Sequence, residues 1–331
     1  MSLKVGDRVP NFQLPASDGL DRVFYFEVLG GPIVLIVAQK SSSKIGKILL
    51  AMLDCSSEMQ SLRVQTFCVL DSFSGMEGTA SDTILFRDEK GDLINLLLTP
   101  IDGNKPSEAI YLLDENQRVF TRLKLGSVQE TVSLLKAKIK LLCGRFDPPP
   151  TTLCYGAPAL LMDNLLDAEF CGRLIESWRR DNREGLVNDG AINVSDERVK
   201  KNREHLVDDE QLRREIASTI GPRIGPELEK AFNYSRPLRF EAFTVLSYTQ
   251  QRKDFFGPHR DNLRATQKRR FAMSLNLNDD YDGGELWFPE YGPHKFLPKA
   301  GSGVIFSCSL LHEALPVTRG QRWVLVTFMC D

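Results

Sequence analysis

The sequence holds only four histidines, His205, His259, His294 and His312, so any site built on imidazole draws on a very small pool. It has no run of ~18 apolar residues, which excludes a membrane-spanning helix. Its seven cysteines, Cys55, Cys68, Cys143, Cys154, Cys171, Cys308 and Cys330, include no CxxC pair. An odd, unpatterned set argues against a disulfide framework and against a zinc site. Most lie among apolar neighbours, as Cys308 does in VIFSCSLL, and read as small core residues. Charge of one sign is lacking too: a formal net charge of -2 gives no field that favours nucleic acid or an anionic membrane. The opening MSLKVGDRVP has no apolar segment of the secretory kind. The expectation is a protein of a reducing compartment, the cytoplasm, with neither nucleic acid nor membrane as partner.

What is present divides in two. A chain of 331 residues has room for about two domains, each with its own core. In the first ~140 residues, buried strands and helical periods alternate. Ile33–Gln39 is a continuous β-branched run, as in a strand covered on both faces. Residues 44–62 follow a helical period, Val64–Leu70 is a second buried strand, and Thr83–Phe86 leads into the turn DEKGD. Ala109–Leu113 and Val119–Leu125 bracket a hairpin, and Gln129–Leu142 is an amphipathic helix. This is a thioredoxin-like order. The motifs VGDRVPNFQLPASDG, GPIVLIVAQ and TILFRDEKGDL resemble the peroxiredoxin branch of that superfamily. There a peroxidatic cysteine opens the helix after the strand. Here Gln39–Gly46 reads QKSSSKIG and has none. Cys55 lies about three helical turns on and Cys68 sits inside an apolar strand. The domain, 1–143, reads as a redox fold without its redox centre.

Residues 144–157 form a proline-rich connection in which Pro148–Pro150 stops any helix. From 158 to 331 the pattern changes. Leu160–Leu166 reads as a short strand, and Asp167 caps an amphipathic helix to Arg179. Residues 205–232 are helical, interrupted by Gly and Pro at 221–226. From Phe240 the segments FEAFTVLSY, RFAMSLNLN, GELWFP, HKFLP, GSGVIFS and RWVLVTFM are short strands of a sandwich or barrel.

Chemistry concentrates in this β-rich part. GPHRDN sets His259 and Asp261 two residues apart, which on extended backbone places them on one face. His312, in SLLHEALPV, follows about fifty residues later. Two histidines and a carboxylate leave coordination positions open, as non-haem iron(II) oxygenases require, whereas zinc sites close more tightly. Ten residues beyond His312, Arg322 interrupts an apolar strand; a buried guanidinium needs an anion, and its fork suits a carboxylate. Tyr248 can add a hydroxyl to the same anion. The set matches a 2-oxo diacid that chelates iron at one end and is held by its far carboxylate at the other.

In order along the chain, LLMDNLLDAEFCGRLIESW, FTVLSY, GPHRD, SLNLNDDYDGGELWFP, FLPKAGSGVIFS and LHEALPVTRGQRWVLVTFM resemble the prolyl 4-hydroxylase-like 2-oxoglutarate oxygenases. VKKN (Val199–Asn202) and YDGGEL are similar to the PKHD-type hydroxylases of that superfamily. The resemblance implies a double-stranded β-helix, or jelly roll, with supporting helices. It implies Fe(2+) on His259, Asp261 and His312, and 2-oxoglutarate on Arg322 and Tyr248. It also implies O2 as oxidant, ascorbate as a stimulant, and hydroxylation of a C–H bond coupled to decarboxylation of 2-oxoglutarate to succinate and CO2.

Three functions stand open. One is hydroxylation of a protein or peptide, with the first domain helping to hold it. Another is hydroxylation of a small metabolite or free amino acid, with that domain as scaffold or homodimer contact. The third is a redox-sensing or binding protein without turnover. Among lesser signals, Asn276 and Asn278 read as pocket-mouth or solvent-facing residues, Asp282–Gly284 as a tight turn, and His205 and His294 as surface histidines. RVKK and QKRR read as solvated basic runs.

Overall fold

The computed structural model describes residues 3–40, 43–53, 59, 61–74, 76, 83–100, 106–144, 152–188, 193–194, 199–262 and 268–331. The chain divides into two compact units, Met1–Pro150 and Thr151–Asp331. The expected Pro148–Pro150 connection, Cys55, and the ends of the basic runs at Arg198 and Gln267 lie outside the described residues. No helix among the described residues is long and apolar enough to cross a membrane.

The first unit is built on a five-stranded sheet, ordered Thr83–Arg87, Gln65–Leu70, Ile33–Ala38, Glu108–Leu113, Val119–Leu123. The first three strands are parallel, and the last two form the antiparallel hairpin. The central strand is buried along its whole length. Alternation sends Val34 and Ile36 to the helices Ser43–Leu53 and Val128–Cys143, while Ile33, Leu35 and Val37 meet Phe24, Phe67, Phe86 and Leu97. This double burial is why the strand carries no polar position. Ser127 and Glu130 close the start of Val128–Cys143 with a reciprocal capping box. The topology is thioredoxin-like. Two helices, Phe24–Glu27 and Asp92–Leu97, are absent from the sequence reading, which has only a turn before the second. Buried Asp88 makes this second helix, accepting hydrogen bonds from the Gly91 and Ile94 amides at 3.1 and 2.8 Å.

The second unit is a pair of antiparallel sheets. The larger has seven strands, ordered Ala159–Met162, Gly303–Ser307, Arg269–Asn276, Gln321–Cys330, Arg239–Thr249, Arg203–Leu206, Arg183–Glu184. The smaller has five, ordered Lys200–Lys201, Phe255–His259, His312–Ala314, Leu286–Trp287, Lys295–Phe296. This is a double-stranded β-helix with helices covering one face of the larger sheet. Helix Ala168–Arg180 begins as expected, with Asp167 accepting from the Phe170 amide at 2.8 Å. Phe243, Val245, Met273, Leu275 and Leu325 form the helix-side face of the sheet, packed with Leu174, Ile216, Ile220 and Leu228. The alternate residues of the same strands point into the roll.

Two expectations need correction. The helix Glu210–Phe232 runs without a break and contains Pro222 and Pro226; His205 and Leu206, expected to open it, end the strand Arg203–Leu206. A proline breaks a helix by leaving the carbonyl four residues back unpaired. Here those carbonyls belong to Ser218 and Pro222, both exposed residues, so the loss falls on the solvent side of the helix while Ile216, Ile220, Ile224 and Leu228 stay buried. His205 is buried, not on the surface. It pairs in register with Val245, a residue of the helix-facing side, with Nδ1 3.7 Å from Asp181 Oδ2. His294 is exposed, as expected.

Candidate active site

His259 ends its strand and His312 begins another, and the two are Cα partners across the smaller sheet. The sheet register therefore brings together two residues far apart in the chain. Asp261 lies beyond the strand, in a bend whose amide donates to the Cys308 carbonyl at 3.0 Å. The closeness of His259 and Asp261 thus comes from this tethered bend and not from the two-residue period of a strand. Ligand atoms of the three side chains all lie within 4.8 Å of one another. His259 Nε2 is 3.5 Å from Asp261 Oδ1, and His312 Nε2 is 3.5 Å from Asp261 Oδ2.

Each imidazole is oriented by its own backbone. His259 Nδ1 lies 2.8 Å from the Gly257 carbonyl, and His312 Nδ1 lies 3.0 Å from the Leu310 carbonyl. A carbonyl only accepts, so both rings carry a proton on Nδ1 and turn Nε2 to the cluster. Burial pushes the His312 imidazolium down to about 4, with Asp261 opposing; the ring is neutral near pH ~7. Burial acts to raise the Asp261 carboxyl, but its neighbours His259, His312 and Arg269 together outweigh it and hold it below the ordinary range. Two imidazole Nε2 atoms and a carboxylate are a donor set that suits a divalent ion. Phe256 stacks on His259 with centroids 3.6 Å apart, and Phe306 meets His312 edge-on at 4.6 Å. These rings fix the imidazoles and exclude water from their flanks.

Arg322 and Tyr248 stand on neighbouring strands of the larger sheet as Cα partners. Arg322 is only 3% exposed and Tyr248 2%, and the guanidinium carbon lies 5.7 Å from the tyrosine ring centre. Among the described residues no carboxylate pairs with Arg322. Its Nε and Nη2 donate to Asn276 Oδ1 at 3.0 and 2.9 Å, and Nη2 to Ser274 Oγ at 3.3 Å. These are neutral acceptors, so they orient the fork and leave its charge uncompensated. Burial pushes the Tyr248 hydroxyl well up, with Arg322 opposing, so it is a neutral phenol able to donate. Leu246, Val317, Val324 and Tyr281 wall this end, with Val326 and Phe256 packed against them. Phe256 thus touches both the histidine cluster and the Arg322 end.

Several functional supports were not legible. Asn276 is neither at a pocket mouth nor in solvent: it is wholly buried, holds Arg322, and donates to Tyr281 Oη and the Pro298 carbonyl, both at 2.7 Å. Asn278 is half-buried and clamps the backbone on both sides of Arg322, donating to the Gln321 carbonyl at 2.8 Å and accepting from the Trp323 amide at 2.8 Å. The signal was their spacing, Ser274, Asn276 and Asn278 in one strand opposite the arginine strand. Gly284 is more than a turn residue. Its φ is +68°, and a Cβ there would lie 3.1 Å from Arg322 Cδ. Lys200, expected in a solvated run, is buried and paired with Glu204 at 3.0 Å. Inward-facing strand positions explain it.

A jelly roll with two histidines and one carboxylate facing its interior defines the class of the facial-triad, non-haem iron proteins. Comparison with known proteins shows where the likeness lies: residues 243–330, within the second unit, match the model of the 2OG-Fe(II) oxygenase superfamily. A PKHD-type hydroxylase of Burkholderia cenocepacia is 36% identical over 118 residues, 32% of this chain and 52% of that protein. The chain thus spans about half the length of the curated relatives it matches. Among solved structures, a prolyl-4-hydroxylase from Pseudomonas putida is 21% identical, covering 53% of this chain and 93% of that one with a TM-score of 0.41. Peroxidoxin BcpB from Mycobacterium tuberculosis is 18% identical, covering 42% and 98% with a TM-score of 0.36.

Proposed function

We propose that the second unit binds Fe(2+) through His259, Asp261 and His312, holds 2-oxoglutarate with Arg322 and Tyr248, and hydroxylates a C–H bond. The substrate is proposed to be a protein or peptide. The observation that carries the reading is Arg322: a buried guanidinium with neutral oxygens around it and no acidic partner among the described residues. Such a group is costly unless an anion arrives, and a ligand carboxylate is the anion its fork fits.

Iron with dioxygen and 2-oxoglutarate supplies the oxidising power: R–H, 2-oxoglutarate and O2 give R–OH, succinate and CO2. The chain's own residues bind and orient. Arg322 and Tyr248 fix one end of the diacid, Asn276 keeps the fork aimed, and Leu246, Val317 and Val324 keep that end dry, which strengthens the charge pairing. The buried free thiols Cys68, Cys171 and Cys308 suit a reducing compartment such as the cytoplasm. Ascorbate is proposed only as a stimulant of turnover.

The first test is anaerobic titration of the metal-free protein with iron(II) and then 2-oxoglutarate. A visible charge-transfer band that His259→Ala abolishes and Arg322→Ala weakens supports the reading. Metal binding without any such band sinks it. A peptide library and a panel of free amino acids, scored by succinate release, then separate the protein substrate from the small-metabolite alternative.

A further inference from the structure

The segment Lys200–Glu204 crosses from one sheet of the roll to the other. Lys200–Lys201 pairs with Phe255–Phe256 in the histidine-bearing sheet, and Arg203–Leu206 pairs with Thr244–Ser247 in the arginine-bearing sheet. Asn202 is the corner. Side chains two apart share a face of extended chain, so Lys200, Asn202 and Glu204 form one stripe. All three are buried, with exposures of 7%, 1% and 8%. Three polar residues in a row facing inward are costly unless each finds a partner. The outer two find each other, with Lys200 Nζ 3.0 Å from Glu204 Oε2. The middle one finds none: neither Nδ2 nor Oδ1 of Asn202 has a hydrogen-bond partner.

The register says where that carboxamide stands. Arg203 is opposite Ser247, and Arg322 is opposite Tyr248. The residue before Arg203 therefore continues the rung that runs Arg322, Tyr248, Asn202 across three adjacent strands, at about 4.8 Å per strand. Asn202 is the side chain that approaches the Tyr248 hydroxyl, close enough to act on it as a hydrogen-bonding neighbour, but the contact falls short of hydrogen-bond geometry and leaves both carboxamide atoms unpartnered. Its place is also kept clear by sequence. Gly185 donates its amide to the Asn202 carbonyl at 2.9 Å, and a Cβ on Gly185 would fall 1.8 Å from Asn202 Oδ1. The Lys200–Glu204 pair braces the stripe on both sides, so the free carboxamide is held rather than loose.

We propose that Asn202 is a third binding residue of the 2-oxoglutarate cradle, donating from Nδ2 to a carboxylate oxygen of the diacid beside Tyr248. This rests on the oxygenase reading above. The Arg322 guanidinium without an acidic partner among the described residues, the Tyr248 hydroxyl and the unbonded Asn202 carboxamide lie on one rung, and a diacid engages all three at once. A buried amide kept only for the fold would be bonded to the fold, as Asn276 is. Asn202 is not.

The test uses the full chain loaded with Mn(II), which binds without turnover, and isothermal titration with 2-oxoglutarate. Asn202→Leu keeps the volume and removes the hydrogen bonds. It is expected to weaken 2-oxoglutarate binding about tenfold or more, since a hydrogen bond to a charged group is lost. Mn(II) affinity is expected to stay unchanged. The metal-free variant is expected to melt at or above the wild-type temperature, because an unsatisfied buried amide has been removed. A purely structural asparagine gives the reverse: a lower melting temperature with unchanged affinity. Gly185→Ala, which pushes the carboxamide aside without altering it, is expected to weaken the ligand in the same sense, and it decides the matter if Asn202→Leu does not fold. Wild-type affinity in either folded variant overturns the inference alone. A wild-type chain that binds Mn(II) but no 2-oxoglutarate overturns the oxygenase reading and this inference with it.

Discussion

Replacing Arg322 by methionine tests the site most directly, because the structure assigns it two effects of opposite sign. The guanidinium is 3% exposed and bonded to neutral oxygens. Its burial without a counter-charge costs several kcal/mol. Methionine fills a similar volume and removes that cost. Against this, Asn276 Oδ1 loses both of its arginine donors, and an orphaned buried acceptor costs ~1–3 kcal/mol. The metal-free variant should therefore be as stable as the parent or more so. For the ligand the sign reverses. Truncating one partner of a buried, hydrogen-bonded charge pair costs ~2–5 kcal/mol, which is roughly 30-fold to several thousand-fold in Kd. Arg322→Lys keeps the charge but loses the planar fork, so its affinity should fall between. The assay is calorimetric titration of Mn(II)-loaded protein with 2-oxoglutarate, paired with thermal melts of the metal-free forms. If Arg322→Met binds 2-oxoglutarate as tightly as the parent, the reasoning is refuted. If it instead melts several degrees lower with affinity intact, the arginine is a brace for Asn276 and not a ligand clamp.

His259→Ala, Asp261→Asn and His312→Ala should each abolish tight Mn(II) or Fe(II) binding in equilibrium dialysis, whereas Arg322→Met should retain it. Retention by any of the first three would break the assigned ligand set. Gly284→Ala places a methyl 3.0 Å from Val317 Cγ2 and 3.1 Å from Arg322 Cδ at a φ of +68°. It should destabilise the second unit by ~1–2 kcal/mol in urea titration and weaken 2-oxoglutarate, and an unaltered affinity would show that the arginine has room to shift. Cys154 is exposed and should be alkylated quickly in the native protein. Burial raises the Cys68, Cys171 and Cys308 thiols, Cys171 to about 12, and these should react only after unfolding. Rapid native labelling of Cys68, read by peptide mass spectrometry, would contradict its place in the core.

The sequence carries most of the first unit because its strands are buried on both faces. Ile33–Ala38 has no polar residue to mislead, and Ser127 with Glu130 writes a helix start in two letters. What it hides there is Asp92–Leu97, whose start depends on the side chain of Asp88 reaching Ile94. A local reading sees DEKGD only as a turn. In the second unit the prolines of Glu210–Phe232 mislead for a related reason. Their cost depends on whether the carbonyl left behind meets water, and that is decided by which way the helix faces. His205 and Lys200 mislead because strand position, not residue type, sets burial. One charge or one imidazole in a short strand gives no period to read.

The site shows the same division more sharply. That His259, Asp261 and His312 cluster and that Arg322 and Tyr248 are neighbours is in keeping with residue type and spacing, while the residues around them depend on register. Nothing in SLNLN says that Asn276 meets Arg322, and nothing in VKKN says that Asn202 extends the rung of Tyr248. Once the register is known, hydrogen-bond satisfaction separates the two kinds of buried polar residue. Asn276 makes hydrogen bonds through both amide atoms, so its work is finished in the folded chain. Asn202 makes none, and Arg322 lacks an acidic partner among the described residues. An unmet donor costs about 1–3 kcal/mol, a large fraction of the ~5–15 kcal/mol that holds a typical domain together. On the proposed reading, a ligand with several acceptor oxygens offsets that cost at Asn202 and gives the neighbouring Arg322 a counter-charge on the same rung. The side chains that the fold leaves unsatisfied are therefore the ones that identify what the pocket takes.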